Sequence, residues 1–140
     1  MGSSLYFWSM VSVVIIGSGN VATHLYRAFN GTDRVQVVQV YGRNRATLAP
    51  FKANASVTTK ATAIVDADVY LLAVTDDTIN AVSRTVAHKN AIVAHTSGTV
   101  SLDGIDHDRA GVFYPLQSFS KHLETDFHDI PVLVEAKNAN

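Results

Sequence analysis

Cysteine is absent from the 140-residue sequence, which excludes disulfides, zinc-thiolate sites and thiol nucleophiles. Charged residues are scarce at 16%, below the roughly 25% of typical soluble domains. So little charge suggests that a partner, a ligand or another domain covers part of the surface. The net charge of -1 also argues against a basic stripe, so nucleic-acid binding is not expected.

Long apolar runs are missing as well. None approaches the roughly 20 residues needed to cross a bilayer, so we expect no membrane contact and a cytoplasmic location. Hydrophobic residues still make up 47% of the chain, enough for one core but not for two at this length. Residues 1–9 resemble the remnant of an expression tag, which leaves residues 10–140 as one domain.

Short β-branched runs alternate with helical periodicity along this domain. The sequence predicts strands at 11–16, 35–40, 57–58, 69–74, 91–95, 112–114 and 132–134. It predicts helices at 20–30 and 77–88, and a weak helix at 45–54 that Pro50 interrupts. Because strands and helices alternate over short connections, we expect a doubly wound α/β fold around a mainly parallel sheet.

A glycine pattern lies between the first strand and the first helix. Residues 17–22, GSGNVA, fit G-x-G-x-x-G/A in the strand–turn–helix context that gives the pattern meaning. Gly17 permits the tight turn, Gly19 lets a pyrophosphate approach the backbone, and Ala22 is small enough for helix packing. The free N–H groups at the helix start then face the phosphates. The sequence therefore predicts a dinucleotide site, with a purely structural glycine turn as the alternative.

The end of the second strand should decide which dinucleotide binds. An acidic residue there would bind the ribose 2′-hydroxyl of NAD, but Asp33 is the only acid between Gly19 and Arg45, and it precedes the strand. Arg43 or Arg45 can instead pair with a 2′-phosphate through charge-assisted hydrogen bonds. We therefore predict NADP over NAD. The alternative is that both arginines are solvated surface residues.

Two later segments leave the sheet at the same edge. After the fourth strand, the backbone of Val74 and Thr75 should run beside the dinucleotide, and Thr75 or Asp76 should cap the next helix. After the fifth strand, His95 can orient a carbonyl or act as an acid, and Ser97 can donate to a substrate. The alternative for His95 is a ring packed under the nicotinamide, with backbone partners for its nitrogens.

Neither a hydrolase nor a metal site is predicted. The sequence contains no G-x-S-x-G nucleophile elbow. One loose cluster of imidazole and carboxylate residues follows no metal-ligand spacing: His122, Glu124, Asp126, His128 and Asp129.

Five segments together resemble a family of Rossmann-like NADP oxidoreductases of largely unknown substrate. They are 14–25, 40–43, 67–77, 95–98 and 111–121. Many families share the glycine motif, whereas HTSG and YPLQSFSK, within the last two segments, are more particular. The family is similar to the N-terminal domains of pyrroline-5-carboxylate reductase and of deazaflavin-dependent NADP reductases.

The resemblance implies an oxidoreductase domain that binds NADP for hydride transfer with a small carbonyl or imine compound. The implied cofactor residues are Gly17, Ser18, Gly19, Asn20 and Val21 at the pyrophosphate, Arg43 and Asn44 near the 2′-phosphate, and Val74, Thr75, His95 and Thr96 along the nicotinamide side. The candidate catalytic and substrate-facing residues are His95, Ser97, Tyr114, Gln117, Ser118 and Lys121.

Such proteins normally continue into a helical C-terminal domain that helps to close the active site and usually supports dimerisation. The 140 residues do not include one. We therefore expect catalysis to need that domain or a homodimer as partner. A second hypothesis is a non-catalytic, nucleotide-responsive module that binds another protein. A third is a Rossmann-like fragment that binds nothing.

Overall fold

A computed structural model of the chain describes residues 10–86, 90–115 and 132–136. The strands within these ranges are β1 (Val11–Ile16), β2 (Val35–Tyr41), β3 (Ser56–Thr58), β4 (Val69–Leu72), β5 (Ile92–His95), β6 (Ala110–Pro115) and β7 (Val132–Ala136). The α-helices are α1 (Asn20–Asn30), α2 (Arg45–Leu48) and α3 (Ile79–Ser83). Short 3₁₀ turns cover Ala49–Ala53, Ala61–Ala63, Asp76–Thr78 and Leu102–Gly104.

All seven strands belong to one sheet with the order β3-β2-β1-β4-β5-β6-β7. The first six are mutually parallel, and β7 runs antiparallel to β6, with Val132 beside Pro115 and Ala136 beside Gly111. The strand order reverses between β1 and β4, and open α/β sheets bind ligands at that point, outside the carboxyl ends of their strands. The predicted doubly wound, mainly parallel Rossmann-like fold is confirmed.

Apolar layers cover both faces of the sheet, and β1 is buried between them. Successive side chains of a strand point to opposite faces. Ile15 therefore joins the layer that contains Leu25 of α1, whereas Val14 joins the layer that contains Ile79 of α3. Both β1 side chains are 0% exposed. The uninterrupted apolar run of β1 is thus explained by burial on two sides.

Most predicted elements lie where the sequence places them. Helix α1 matches the prediction at both ends, and the two late strand candidates are both strands, β6 and β7. Around Pro50 the weak helix divides into α2 and the 3₁₀ turn Ala49–Ala53, as the missing proline N–H requires. Among the described helices, none is long and apolar enough to span a membrane.

The predicted helix at 77–88 is wrong in extent. Helix α3 covers only Ile79–Ser83, and residues 87–88 lie outside the described part of the chain. Beyond α3, the N–H and the hydroxyl of Thr85 both donate to Val82 O, three residues back. Because such hydroxyl bonds compete with the helical ladder, apolar periodicity alone overestimated the length of this helix.

Gly17 adopts a backbone conformation that side chains rarely permit. Its φ is 123°, and a Cβ built there would lie 2.0 Å from the carbonyl oxygen of Ala73. Its N–H donates to Tyr41 O over 2.7 Å. The turn after β1 therefore touches both the end of β2 and the loop after β4 at the level of the backbone.

Replacing Gly17 with Ala should lower the free energy of unfolding by about 3 kcal/mol, because strain at positive φ adds to the overlap with Ala73. Urea unfolding followed by circular dichroism measures this loss. Gly19→Ala is the matched control, since a Cβ there would meet nothing within 4 Å. Its cost should be about 1 kcal/mol at most, from the altered helix cap. Equal losses for the two variants would contradict this account of Gly17.

Candidate functional site

A cleft of about 780 Å³ opens at the carboxyl ends of the central strands. This volume lies within the range of ligand pockets, roughly 300–1,000 Å³. The loops after β1, β2, β4 and β5 line it, together with part of α3. The sequence-predicted residues that line it are Gly17, Ser18, Gly19, Asn20, Val21, Arg43, Asn44, Val74, Thr75, Thr96 and Ser97.

The start of α1 forms one wall of this cleft. Gly19 is the N-cap residue, no side chain caps the helix, and no acidic residue lies in the first turn. The hydroxyl of Thr23 donates to Gly19 O over 2.8 Å, which holds the turn from below. The positive end of the helix dipole therefore faces the cleft without a competing carboxylate from its own first turn.

The loop after β2 is tied to the glycine turn by hydroxyl groups. Ser18 Oγ and Thr47 Oγ1 lie 2.8 Å apart, and the Thr47 hydroxyl lies 2.9 Å from Asn44 O. The Asn44 side chain caps α2 by accepting from the N–H of Ala46 over 2.8 Å. Sequence reasoning missed Thr47. Its signal is the Asn44 cap, which begins a short helix and brings position 47 back toward the turn.

The structure separates the two arginine candidates. Arg43 is exposed and lines the cleft, whereas Arg45 is exposed and does not line it. Of the residues that line the cleft, two are charged, Arg43 and Asp76. A cation on the β2 wall suits a phosphate group, which it can bind through paired hydrogen bonds.

His95 lies beneath the cleft and does not line it. Its side chain is 0% exposed. The N–H of Ser97 donates to its Nδ1 over 3.1 Å, which leaves the ring proton on Nε2, 3.3 Å from Ser101 O. Because both ring nitrogens have backbone partners, this geometry favours the packed ring over an acid or a carbonyl-orienting group.

The expected side-chain cap after β4 is not formed. Thr75 is the N-cap residue of the 3₁₀ turn Asp76–Thr78, but its hydroxyl makes no capping bond. The Thr78 hydroxyl instead donates to Thr75 O over 2.8 Å. The Asp76 carboxylate turns toward the loop after β5. The capping prediction is therefore wrong, because a hydroxyl partner distant in sequence competes for the carboxylate.

That partner is the hydroxyl of Thr99, which donates to Asp76 Oδ2 over 2.6 Å. This hydrogen bond is the main cause that lowers the pKa of Asp76, and the nearby Ser97 side chain lowers it further. Ser97 Oγ in turn accepts the N–H groups of Thr99 and Val100 over 3.1 and 3.2 Å. A continuous set of hydrogen bonds thus joins the walls after β4 and β5.

The substrate-facing candidates are only partly within the described residues. Tyr114 lies in β6, paired with Leu133 of β7. The remaining candidates and the loose polar cluster fall outside the described ranges: Gln117, Ser118, Lys121, His122, Glu124, Asp126, His128 and Asp129. In the ranges that are described, no three His, Asp or Glu residues are grouped to hold a metal.

Helix α3 contributes lining residues that sequence reasoning missed. Val82 is partly buried against the core and also lines the cleft beside Ala81 and Thr78. The helical period locates the buried side of α3 through Ile79. The helical period does not show that Ala81 and Val82, next to the buried side, border a cavity. Whether they do depends on where the helix ends.

The sequence matches the profile of a protein family described as NADP oxidoreductase, coenzyme F420-dependent, over residues 12–97. This match covers more than half of the chain. No curated protein is similar enough to count as a match. A solved structure described as an NADP oxidoreductase from Bacteroides fragilis is 30% identical, with a TM-score of 0.83. The resemblance to Rossmann-like NADP oxidoreductases is therefore confirmed.

Two more distant structures share the fold. Prephenate dehydrogenase from A. aeolicus, in complex with hydroxyphenyl propionate and NAD⁺, has a TM-score of 0.75 at 14% identity. Biliverdin reductase from Synechocystis, in complex with biliverdin and NADP⁺, has a TM-score of 0.55 at 23% identity. The match with the B. fragilis protein covers 93% of this chain and 53% of that protein. The match with the dehydrogenase covers 90% of this chain and 50% of that protein, and the match with the reductase covers 62% and 29%. This chain thus spans about half the length of the first two proteins.

The pKa of the Asp76 carboxyl group should rise toward its ordinary value in the Thr99→Val variant, because the main hydrogen bond that lowers it is lost. Carbon-detected NMR titration measures both midpoints. Since the folded pKa is lowered, the contribution of this exposed bond to stability, which is small, is present above the ordinary carboxyl pKa and is lost as the pH falls through the lowered value. Thr99→Ser, which keeps a hydroxyl, should titrate like the wild type. An unchanged midpoint in Thr99→Val would contradict the assignment.

Proposed function

Because the chain belongs to the family of NADP oxidoreductases described as coenzyme F420-dependent, we propose that it is the NADP-binding domain of an oxidoreductase. The whole protein would transfer a hydride between NADP(H) and a small carbonyl or imine compound. The observation that carries this proposal is the cleft at the β1/β4 reversal, where the uncapped start of α1 and Arg43 both line one cavity.

The residues of the cleft fit a dinucleotide. At Gly19 there is open space where other residues carry a Cβ, so a pyrophosphate can approach the backbone. The N–H groups at the start of α1 would bind its oxygens, assisted by the helix dipole. The cofactor, when bound, supplies the hydride-transfer chemistry, while the protein binds it, orients it and excludes water.

NADP is preferred over NAD in this proposal because of the residues that end β2. Tyr41 and Gly42 are followed by Arg43, and no acid is available there to accept a ribose 2′-hydroxyl. The Arg43 guanidinium would pair with a 2′-phosphate. Ser18 and Thr47, joined by their hydroxyls, keep the loop that carries Arg43 next to the glycine turn.

The nicotinamide end is assigned to the loops after β4 and β5. Thr75, Thr96 and Ser97 line this part of the cleft and would contact the cofactor or the substrate. His95 acts beneath them as a positioning residue through its bond to the Ser97 N–H. We assign the substrate side to Tyr114, Gln117, Ser118 and Lys121, and we propose a homodimer or a helical domain as the partner that closes it.

Replacing Arg43 with Glu should weaken NADPH binding by about 30-fold or more, because a charge-assisted bond to the 2′-phosphate becomes a repulsion. NADH binding should change little. Isothermal titration calorimetry with both dinucleotides measures the difference. Arg45→Glu is the matched control, since it reverses the same charge on an exposed residue that does not line the cleft. Equal losses of NADPH and NADH affinity in Arg43→Glu would remove this residue from the 2′-phosphate site.

NADPH at 100 times its dissociation constant should stabilise the wild type by about 2.7 kcal/mol, or roughly 8–11 °C in the unfolding midpoint. In Gly19→Ala this shift should disappear, because the new Cβ fills the space that a pyrophosphate needs. Its midpoint without ligand should stay near that of the wild type. A full NADPH shift in Gly19→Ala would place the dinucleotide elsewhere, and no shift in the wild type would contradict the proposed function.

A further inference from the structure

A hydrogen bond between residues distant in the sequence joins two loops that border the cleft. Asp76 follows β4, Thr99 follows β5, and 23 residues separate them in the sequence. The Thr99 hydroxyl donates to Asp76 Oδ2 over 2.6 Å, in the range of strong bonds from a hydroxyl to a carboxylate. Asp76 lines the cleft, whereas Thr99 does not. We call this pair the Asp76–Thr99 bridge.

The bridge continues into the residues that face the cleft. Ser97 Oγ lies 3.2 Å from Thr99 Oγ1 and accepts the N–H groups of Thr99 and Val100. At the start of the same loop, the N–H of Ser97 donates to Nδ1 of the buried His95. The bridge is therefore one of several ties on the loop after β5, which His95 holds from beneath and the Thr96 hydroxyl joins to Leu72 O over 3.2 Å.

Stability does not account for the position of Asp76. Both members of the bridge are exposed, and exposed polar pairs contribute little to the free energy of unfolding. A carboxylate in a cleft that would take phosphate groups also repels its ligand. What the bridge does achieve is a fixed separation between the two loops from which Thr75, Thr96 and Ser97 line the cleft.

We propose that Asp76 is a positioning residue for the cofactor site, where it acts through Thr99 to hold the loop after β5 with Ser97 facing the cleft. This inference rests on the proposed function. A loop that is already ordered in its binding conformation loses less entropy when the dinucleotide binds. The bridge thus raises cofactor affinity without a direct contact from Thr99.

The experiment measures NADPH affinity and the urea midpoint for a set of bridge variants. Thr99→Val replaces the hydroxyl by a methyl group of similar size and should weaken NADPH about tenfold. Asp76→Ala should weaken NADPH by less than Thr99→Val, because it also removes a charge that repels the phosphates. The double variant should be no weaker than Thr99→Val, because both lack the same bridge. Thr99→Ser, which keeps the hydroxyl, should bind NADPH within about twofold of the wild-type affinity. The urea midpoints should all stay close to that of the wild type.

The control for the lost negative charge is Asp77→Ala. Asp77 is exposed beside Asp76 but does not line the cleft, so NADPH affinity should be unchanged. Wild-type affinity in Thr99→Val, additive losses in the double variant, or no rescue by Thr99→Ser would each overturn the inference while leaving the proposed function intact. A parallel fall in the urea midpoint would assign the bridge to stability alone. A wild-type protein that binds neither NADPH nor NADH would overturn both proposals.

Discussion

The contact between the backbones of Gly17 and Ala73 is the constraint on which the rest of the site depends. It brings the turn after β1 against the loop after β4, at the point where the strand order reverses. The N–H of Gly17 simultaneously reaches Tyr41 O at the end of β2. Three strand ends can converge in this way because the residue between them has no side chain. The cleft is the space that remains above their junction.

Hydroxyl groups then hold the walls of that space in place. The pair of Ser18 and Thr47 ties the loop after β2 to the glycine turn, and the Asp76–Thr99 bridge ties the loops after β4 and β5. The apolar side chains pack on the two faces of the sheet, beneath these loops. The core therefore fixes where the strands end, and a few polar pairs fix how the loops above them face one another.

Local patterns predicted the elements whose structure is decided locally. The apolar run of β1 and the glycine turn each carry their cause within a few residues, and α1 matches its prediction at both ends. Other features depend on partners far along the chain. The Asp76 carboxylate was expected to cap the next helix, but its partner Thr99 lies 23 residues away. Likewise, the position of His95 at the end of a strand suggests an acid, but its Nε2 lies beside Ser101 O, six residues along the chain.

The antiparallel seventh strand determines where the chain leaves the fold. Strand β7 starts beside Pro115, at the end of the sheet that carries the cleft, and finishes beside Gly111, near the opposite end. Strand β1 also begins at that opposite end, with Val11. Both ends of the described chain therefore lie on the side away from the cleft. A helical domain that follows β7 would therefore reach the cleft only if the chain first runs back along the length of the sheet.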